Sequence, residues 1–161
     1  MILRRSIIFS VIVCSCIWLT SCQDANTVVD TNQTINNRNW SYINKIRVPV
    51  TIEDATADYN IYINLRHTGD YKYSNIFLRV HFQGAGGKVI TERIEFKLAY
   101  PDGQWLGKGS GNMYSYQLPF KGKYKFPGKG KYLFEMEQNM RDNPLKEITD
   151  VGLRVEKLIN P

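Results

Sequence analysis

The sequence predicts an all-β fold, an antiparallel β-sandwich with little helix. Ten tyrosines and seven phenylalanines dominate an aromatic content of 12%, and aromatic and β-branched residues favour strands. From Trp40 onward apolar residues recur with a period of two, which turns one face of each segment toward a core. Turn sequences separate these segments. Many short strands of this kind build a sandwich, and the jelly roll is one of its arrangements.

The first expected strand covers Ile46–Ile52, where Ile, Val, Val and Ile alternate with other residues. Next, Tyr59, Ile61, Ile63 and Leu65 alternate with Asn60, Tyr62, Asn64 and Arg66. Ile76, Leu78, Val80 and Phe82 repeat the pattern before the turn Gly84-Ala85-Gly86-Gly87. A strand carrying Ile90, Ile94, Phe96 and Leu98 follows. Tyr100-Pro101-Asp102-Gly103 then makes a turn, since proline presets φ and glycine accepts a positive value. Further strands are expected at 114–118, 131–138 and 151–158, and a helical turn at 144–148. No internal repeat is present.

The chain has 161 residues and a formal charge of +6, enough for one well-buried core and too little for two. Its start is of another kind. Arg4 and Arg5 precede an apolar run from Ser6 to Leu19, the layout of a secretory signal peptide and short for a membrane span. Leu19-Thr20-Ser21-Cys22 resembles the lipobox of bacterial lipoproteins, which implies cleavage before Cys22 and acylation of its thiol. The expected organisation is therefore a signal peptide over 1–21, a lipid-anchored polar tether over 22–39 and a domain over 40–161. The mature chain has 140 residues and a net charge of +4. Cys14 and Cys16 depart with the signal, so no thiol remains for a disulfide, a zinc site or a nucleophile. Residues 23–39, rich in Asn, Thr and Asp, read as random coil spanning about 20–25 Å.

Several patterns invite chemistry. Gly107-Lys108-Gly109-Ser110-Gly111 offers backbone N–H groups to a phosphate, but a strand follows where that motif requires a helix. Glu135 and Glu137 share one strand face, as paired glycosidase carboxylates do. Tyr132, Phe134 and Met136 occupy the opposite, core side, so the two acids read as a solvated face. His67 and His81 stand apart with no metal-ligand spacing, and read as surface or hydrogen-bonded histidines. No nucleophile elbow is present. The sequence accordingly assigns no catalytic residue, metal or cofactor. Residues 103–134 hold six lysines and no acid, with Lys121, Lys123, Lys125, Lys129 and Lys131 interleaved with Tyr124, Phe126 and Tyr132. Export excludes nucleic acid as the partner of segment 121–131. It reads as a solvated hairpin, with an anionic lipid or acidic protein surface as the alternative.

The blocks Tyr59-Asn60-Ile61, Leu65-Arg66-His67 and Tyr71-Lys72-Tyr73-Ser74-Asn75 resemble the GldH family of gliding-motility lipoproteins. The resemblance continues through 103–111, which includes Trp105, then Phe134-Glu135-Met136-Glu137-Gln138-Asn139-Met140-Arg141, Leu145 and 150–156. Trp40 fits the aromatic expected soon after the tether. The resemblance implies an outer-membrane lipoprotein serving gliding, a movement coupled to adhesin secretion. Its partners would be the membrane, through the lipid on Cys22, and protein components of a motility or secretion complex. It carries over no enzymatic activity and no functional residue except Cys22. A different class stays open beside it: a glycan-binding or glycan-processing lipoprotein, since sandwiches often present aromatics such as Trp105 to sugars.

Overall fold

The computed structural model describes residues 26–84 and 87–159. The expected signal peptide over 1–21 and the expected acylation site Cys22 lie outside the described residues. In chain order the strands are β1 (Thr27–Thr34), β2 (Asn39–Trp40), β3 (Ile46–Ile52), β4 (Tyr59–Thr68), β5 (Asn75–Gly84) and β6 (Ile90–Lys97). They continue with β7 (Lys108–Ser110), β8 (Met113–Tyr124), β9 (Gly130–Gln138), β10 (Leu145–Lys146) and β11 (Ile148–Lys157). Among the described residues the one helical element is the 3-10 turn Asn36–Arg38.

One sheet has the order β1-β11-β4-β8-β7 and the other β3-β9-β5-β6, with β10-β2 as a small third ladder. All pairings are antiparallel. Without the short β2, β7 and β10, eight strands remain, four to a sheet, and successive strands repeatedly cross between sheets. That is the double Greek key of a jelly roll.

Alternation builds the core. β3 buries Ile46, Val48, Val50 and Ile52; β4 buries Tyr59, Ile61, Ile63 and Leu65; β5 buries Ile76, Leu78, Val80 and Phe82. Phe82 on one sheet meets Phe120 and Tyr124 on the other edge-on, with ring centroids 6.1 and 6.2 Å apart. Pro49 lies in the edge strand β3, where a missing N–H is tolerated. The sheets are also joined at both sides. Gln33 Nε2 donates to the Arg47 carbonyl at 2.7 Å, and Lys121 Nζ donates to Glu92 at 2.6 and 2.7 Å.

Three expectations need correction. The tether over 22–39 is, from Thr27, an edge strand paired with β11 from Glu156 to Asp150. Its polar composition concealed it because main-chain pairing, rather than apolar burial, holds an edge strand. Ion pairing reinforces it: Arg154 binds Asp30 at 2.8 Å. The domain thus begins before Trp40. No helical turn forms at 144–148; Leu145 is buried and pairs with Trp40. Gln138 braces the preceding loop, donating to the Asp142 carbonyl at 3.1 Å and accepting from the Met140 N–H at 2.8 Å. Segment 121–131 is no hairpin, because β8 and β9 belong to different sheets and residues 125–129 cross between them.

The register defines two ends. Thr27, Glu156, Tyr59 and Tyr124 lie at one end of the larger sheet, and Gly84, Ile90, Tyr132 and Gly130 at the same end of the smaller. Phe126 joins them there, 5.2 Å from Tyr59 and 4.7 Å from Tyr132 by ring centroid. This is the Asn26 end. Trp105, Asn112 and the 139–144 loop mark the other, the Trp105 end.

Candidate functional site

Glu135 and Glu137 do share the outer face of β9, as their spacing predicts, and neither is free. Pairing in register places Arg47 and His81 beside Glu135, and Arg79 beside Glu137. Arg47 Nε reaches Glu135 Oε1 at 2.7 Å, and Arg79 reaches Glu137 Oε1 at 2.8 Å. Lys45 Nζ adds a third cation, 3.4 Å from Glu137 Oε2. His81 donates or accepts at Thr91 Oγ1 through Nδ1, 2.8 Å away. Its Nε2 lies 3.7 Å from Glu137 Oε1. The result is a cross-strand ladder of charge spanning β3, β9 and β5.

His67 is fully buried at the Trp105 end, rather than on the surface. Its Nδ1 lies 2.7 Å from the Thr68 carbonyl, an acceptor, so Nδ1 carries the proton. Nε2 is then an acceptor, and the single Tyr116 O–H is shared between Nε2 at 3.0 Å and the Leu98 carbonyl at 2.9 Å. Four aromatic rings surround the imidazole, those of Trp105, Tyr71, Tyr116 and Tyr114. Burial lowers the His67 pKa from its ordinary 6.5, outweighing the Thr68 hydrogen bond. The same burial pushes the Tyr116 hydroxyl up to about 12. Trp105 therefore packs against His67. The sequence marked His67 and Trp105 separately; Tyr71, close to His67 in the chain, entered only through the family resemblance, and Tyr114 and Tyr116 come from the distant β8, which no local pattern ties to His67.

Of the glycine-rich segment, Lys108–Ser110 forms β7 and pairs with Met113–Ser115 of β8. Its glycines serve close approach: a Cβ on Gly107 would meet the Tyr116 ring at 2.6 Å. Segment 121–131 is partly engaged, with Lys121 on Glu92 and Lys125 Nζ 4.0 Å from Asp58. Among the described residues no group of three or more His, Cys, Asp or Glu side chains is placed to hold a metal ion. The outer face of the larger sheet bears a groove of about 550 Å³, lined by Asp30, Asn64, Arg66, Gln117 and Asp150 among others. Here Arg66 sits 3.5 Å from Asp150, and Asn64 donates to Asp30 at 2.8 Å.

These features define a jelly-roll domain whose histidines and strand-face carboxylates are locked into aromatic packing and ion pairs. The chain belongs to the GldH lipoprotein family, whose sequence model matches residues 27–155. That match opens at the first residue of β1. The chain is 33% identical over 151 residues to the gliding motility lipoprotein GldH homolog of Christiangramia forsetii, covering 89% of this chain and 91% of that protein. It is 30% identical over 160 residues to the gliding motility lipoprotein GldH of Flavobacterium johnsoniae, covering 91% and 94%. No solved structure matches it.

Proposed function

We propose that the protein is a non-enzymatic lipoprotein accessory of the bacterial gliding and adhesin-secretion machinery, anchored in the outer membrane through acylated Cys22. The observation that carries this reading is the similarity, over most of the chain, to a gliding motility lipoprotein, in a sequence that also bears the lipobox Leu19-Thr20-Ser21-Cys22. The side chains support a role in contact rather than chemistry. Glu135 and Glu137 face cations, and a carboxylate pair that attacks glycosidic bonds needs one acid able to donate its proton.

The polar groove beside Arg66 favours a second reading, binding of a glycan, whose hydroxyls suit such a lining. Trp105 does not serve that reading, since its ring lies against His67. Deleting the gene tests the two. The first predicts impaired colony spreading, or impaired adhesin export where the host does not glide. Normal motility and secretion with defective polysaccharide use would decide for the glycan.

A further inference from the structure

The geometry points to the Asn26 end of the jelly roll as a membrane-facing surface, whose lysines contact the headgroups of acidic phospholipids. This rests on the anchoring of Cys22 proposed above. The first argument is reach. Because β1 begins at Thr27, the lipid is not separated from the fold by seventeen residues of coil. The Lys157 N–H donates to the Asn26 carbonyl at 2.8 Å, which fixes Asn26 at this end. Four residues then lead from Cys22 to Asn26, a span of at most about 14 Å even when fully extended. The end that holds Asn26 must therefore sit within that distance of the bilayer surface.

The second argument is what this end displays. Lys88, Lys123, Lys129 and Lys131 are exposed, lie on its loops and strand tips, and have no ion-pair partner among the described residues. The acids nearby are largely engaged. Asp54 binds Lys157 at 2.7 Å, Glu92 binds Lys121, Asp58 faces Lys125 and Glu156 binds Arg154 at 3.1 Å; among the described residues Glu53 is the remaining one. Apolar side chains stand among the lysines: Val89 and Ile90 are 47% and 44% exposed, and Ile159 is 71% exposed. Sequence alternation placed Ile90 in the core, and the structure leaves it outside. Cations interleaved with exposed aliphatic groups suit the boundary between headgroups and acyl chains. The attraction of lysines to an anionic leaflet falls off within about 8 Å at physiological salt, so a short leash matters. The Trp105 end then points away. Twelve residues of β8, at about 3.3 Å each, separate the two ends by about 40 Å.

The test uses the processed, acylated full-length protein reconstituted in vesicles that carry a nitroxide headgroup quencher. With Cys22 blocked by lipid, a fluorophore is attached at Pro127→Cys on the Asn26 end or at Ser110→Cys on the other. We expect several-fold stronger quenching at Pro127→Cys, and a further increase when phosphatidylglycerol is added to phosphatidylcholine. Combining Pro127→Cys with Lys→Gln at 88, 123, 129 and 131 should abolish that increase. The same change at Lys97, Lys108 and Lys146, near the opposite end, should leave it intact. Equal quenching at the two labels overturns the orientation, and no response to phosphatidylglycerol overturns the lysine contact with acidic headgroups, while anchoring stands in both cases. The intact mass of the purified protein separates the cases: an unacylated Cys22 removes both readings.

Discussion

The indole of Trp105 stands edge-on to the imidazole of His67, with ring centroids 4.5 Å apart and planes at 64°. This contact closes the Trp105 end of the sandwich and holds His67 away from water. Since burial lowers the His67 pKa below 6.5, the unfolded chain takes up a proton at this side chain before the folded one does. Stability is therefore whole above pH 6.5 and declines as the pH falls below it. Thermal melts between about pH 8 and about pH 5 should show this loss. His67→Phe, which keeps an aromatic ring and removes the titration, should melt with a flatter pH profile. The lowered carboxyl pKa values of Asp54 and Asp142 act in a separate window, below their ordinary 3.8. An unchanged profile in His67→Phe would contradict the assignment.

Gly152 sits in the middle of β11 with β1 on one side and β4 on the other. A Cβ there would run into the Thr31 carbonyl and lie 2.6 Å from the Asn32 side chain. Gly152→Ala must push β1 off the sheet or bend β11, at a cost of about 1–3 kcal/mol. Urea denaturation should register that loss, and limited proteolysis should cut the β1 segment sooner than in the wild type.

The two strand-face glutamates should differ in stability. Glu137 is 12% exposed and meets Arg79 and Lys45, whereas Glu135 pairs with an Arg47 that is 63% exposed. Replacing Glu137 by glutamine leaves two cations without their partner and should cost about 1–3 kcal/mol. Glu135→Gln breaks one solvent-screened pair and should cost at most about 1 kcal/mol. Denaturant midpoints of the two variants give the order directly.

The seven apolar-patterned strands were legible in the sequence because burial of one face writes itself as alternation, although β6 buries little besides Phe96 and the central β11 is buried on both faces. β4 and β5 follow their patterns almost residue by residue. β1 was not legible: Thr27, Val29 and Thr31 are half-buried, and the ladder to β11 holds a segment that reads as polar coil. β2 and β10 are two residues each, and their pairing joins Trp40 to Leu145 across a hundred residues of chain. The charge ladder around Glu137 was half legible. Alternation gave the face of Glu135 and Glu137, but the neighbours Arg47, Arg79 and His81 come from strand order, which no local pattern states. The His67 cluster was hidden for the same reason, since its rings come from β4, β8 and two loops.

Complementation of a deletion strain addresses the central claim most directly: the domain acts at the membrane by contact rather than by catalysis. The strain receives wild type, Cys22→Ser, or Glu135→Gln combined with Glu137→Gln, each at matched protein level. Colony spreading, or adhesin export in a host that does not glide, is then scored. Exchanging a carboxylate for an amide disables acid–base chemistry while conserving shape, so the double glutamine variant should rescue and Cys22→Ser should fail. Full rescue by Cys22→Ser, or failure of the glutamine variant at normal level, would contradict the account.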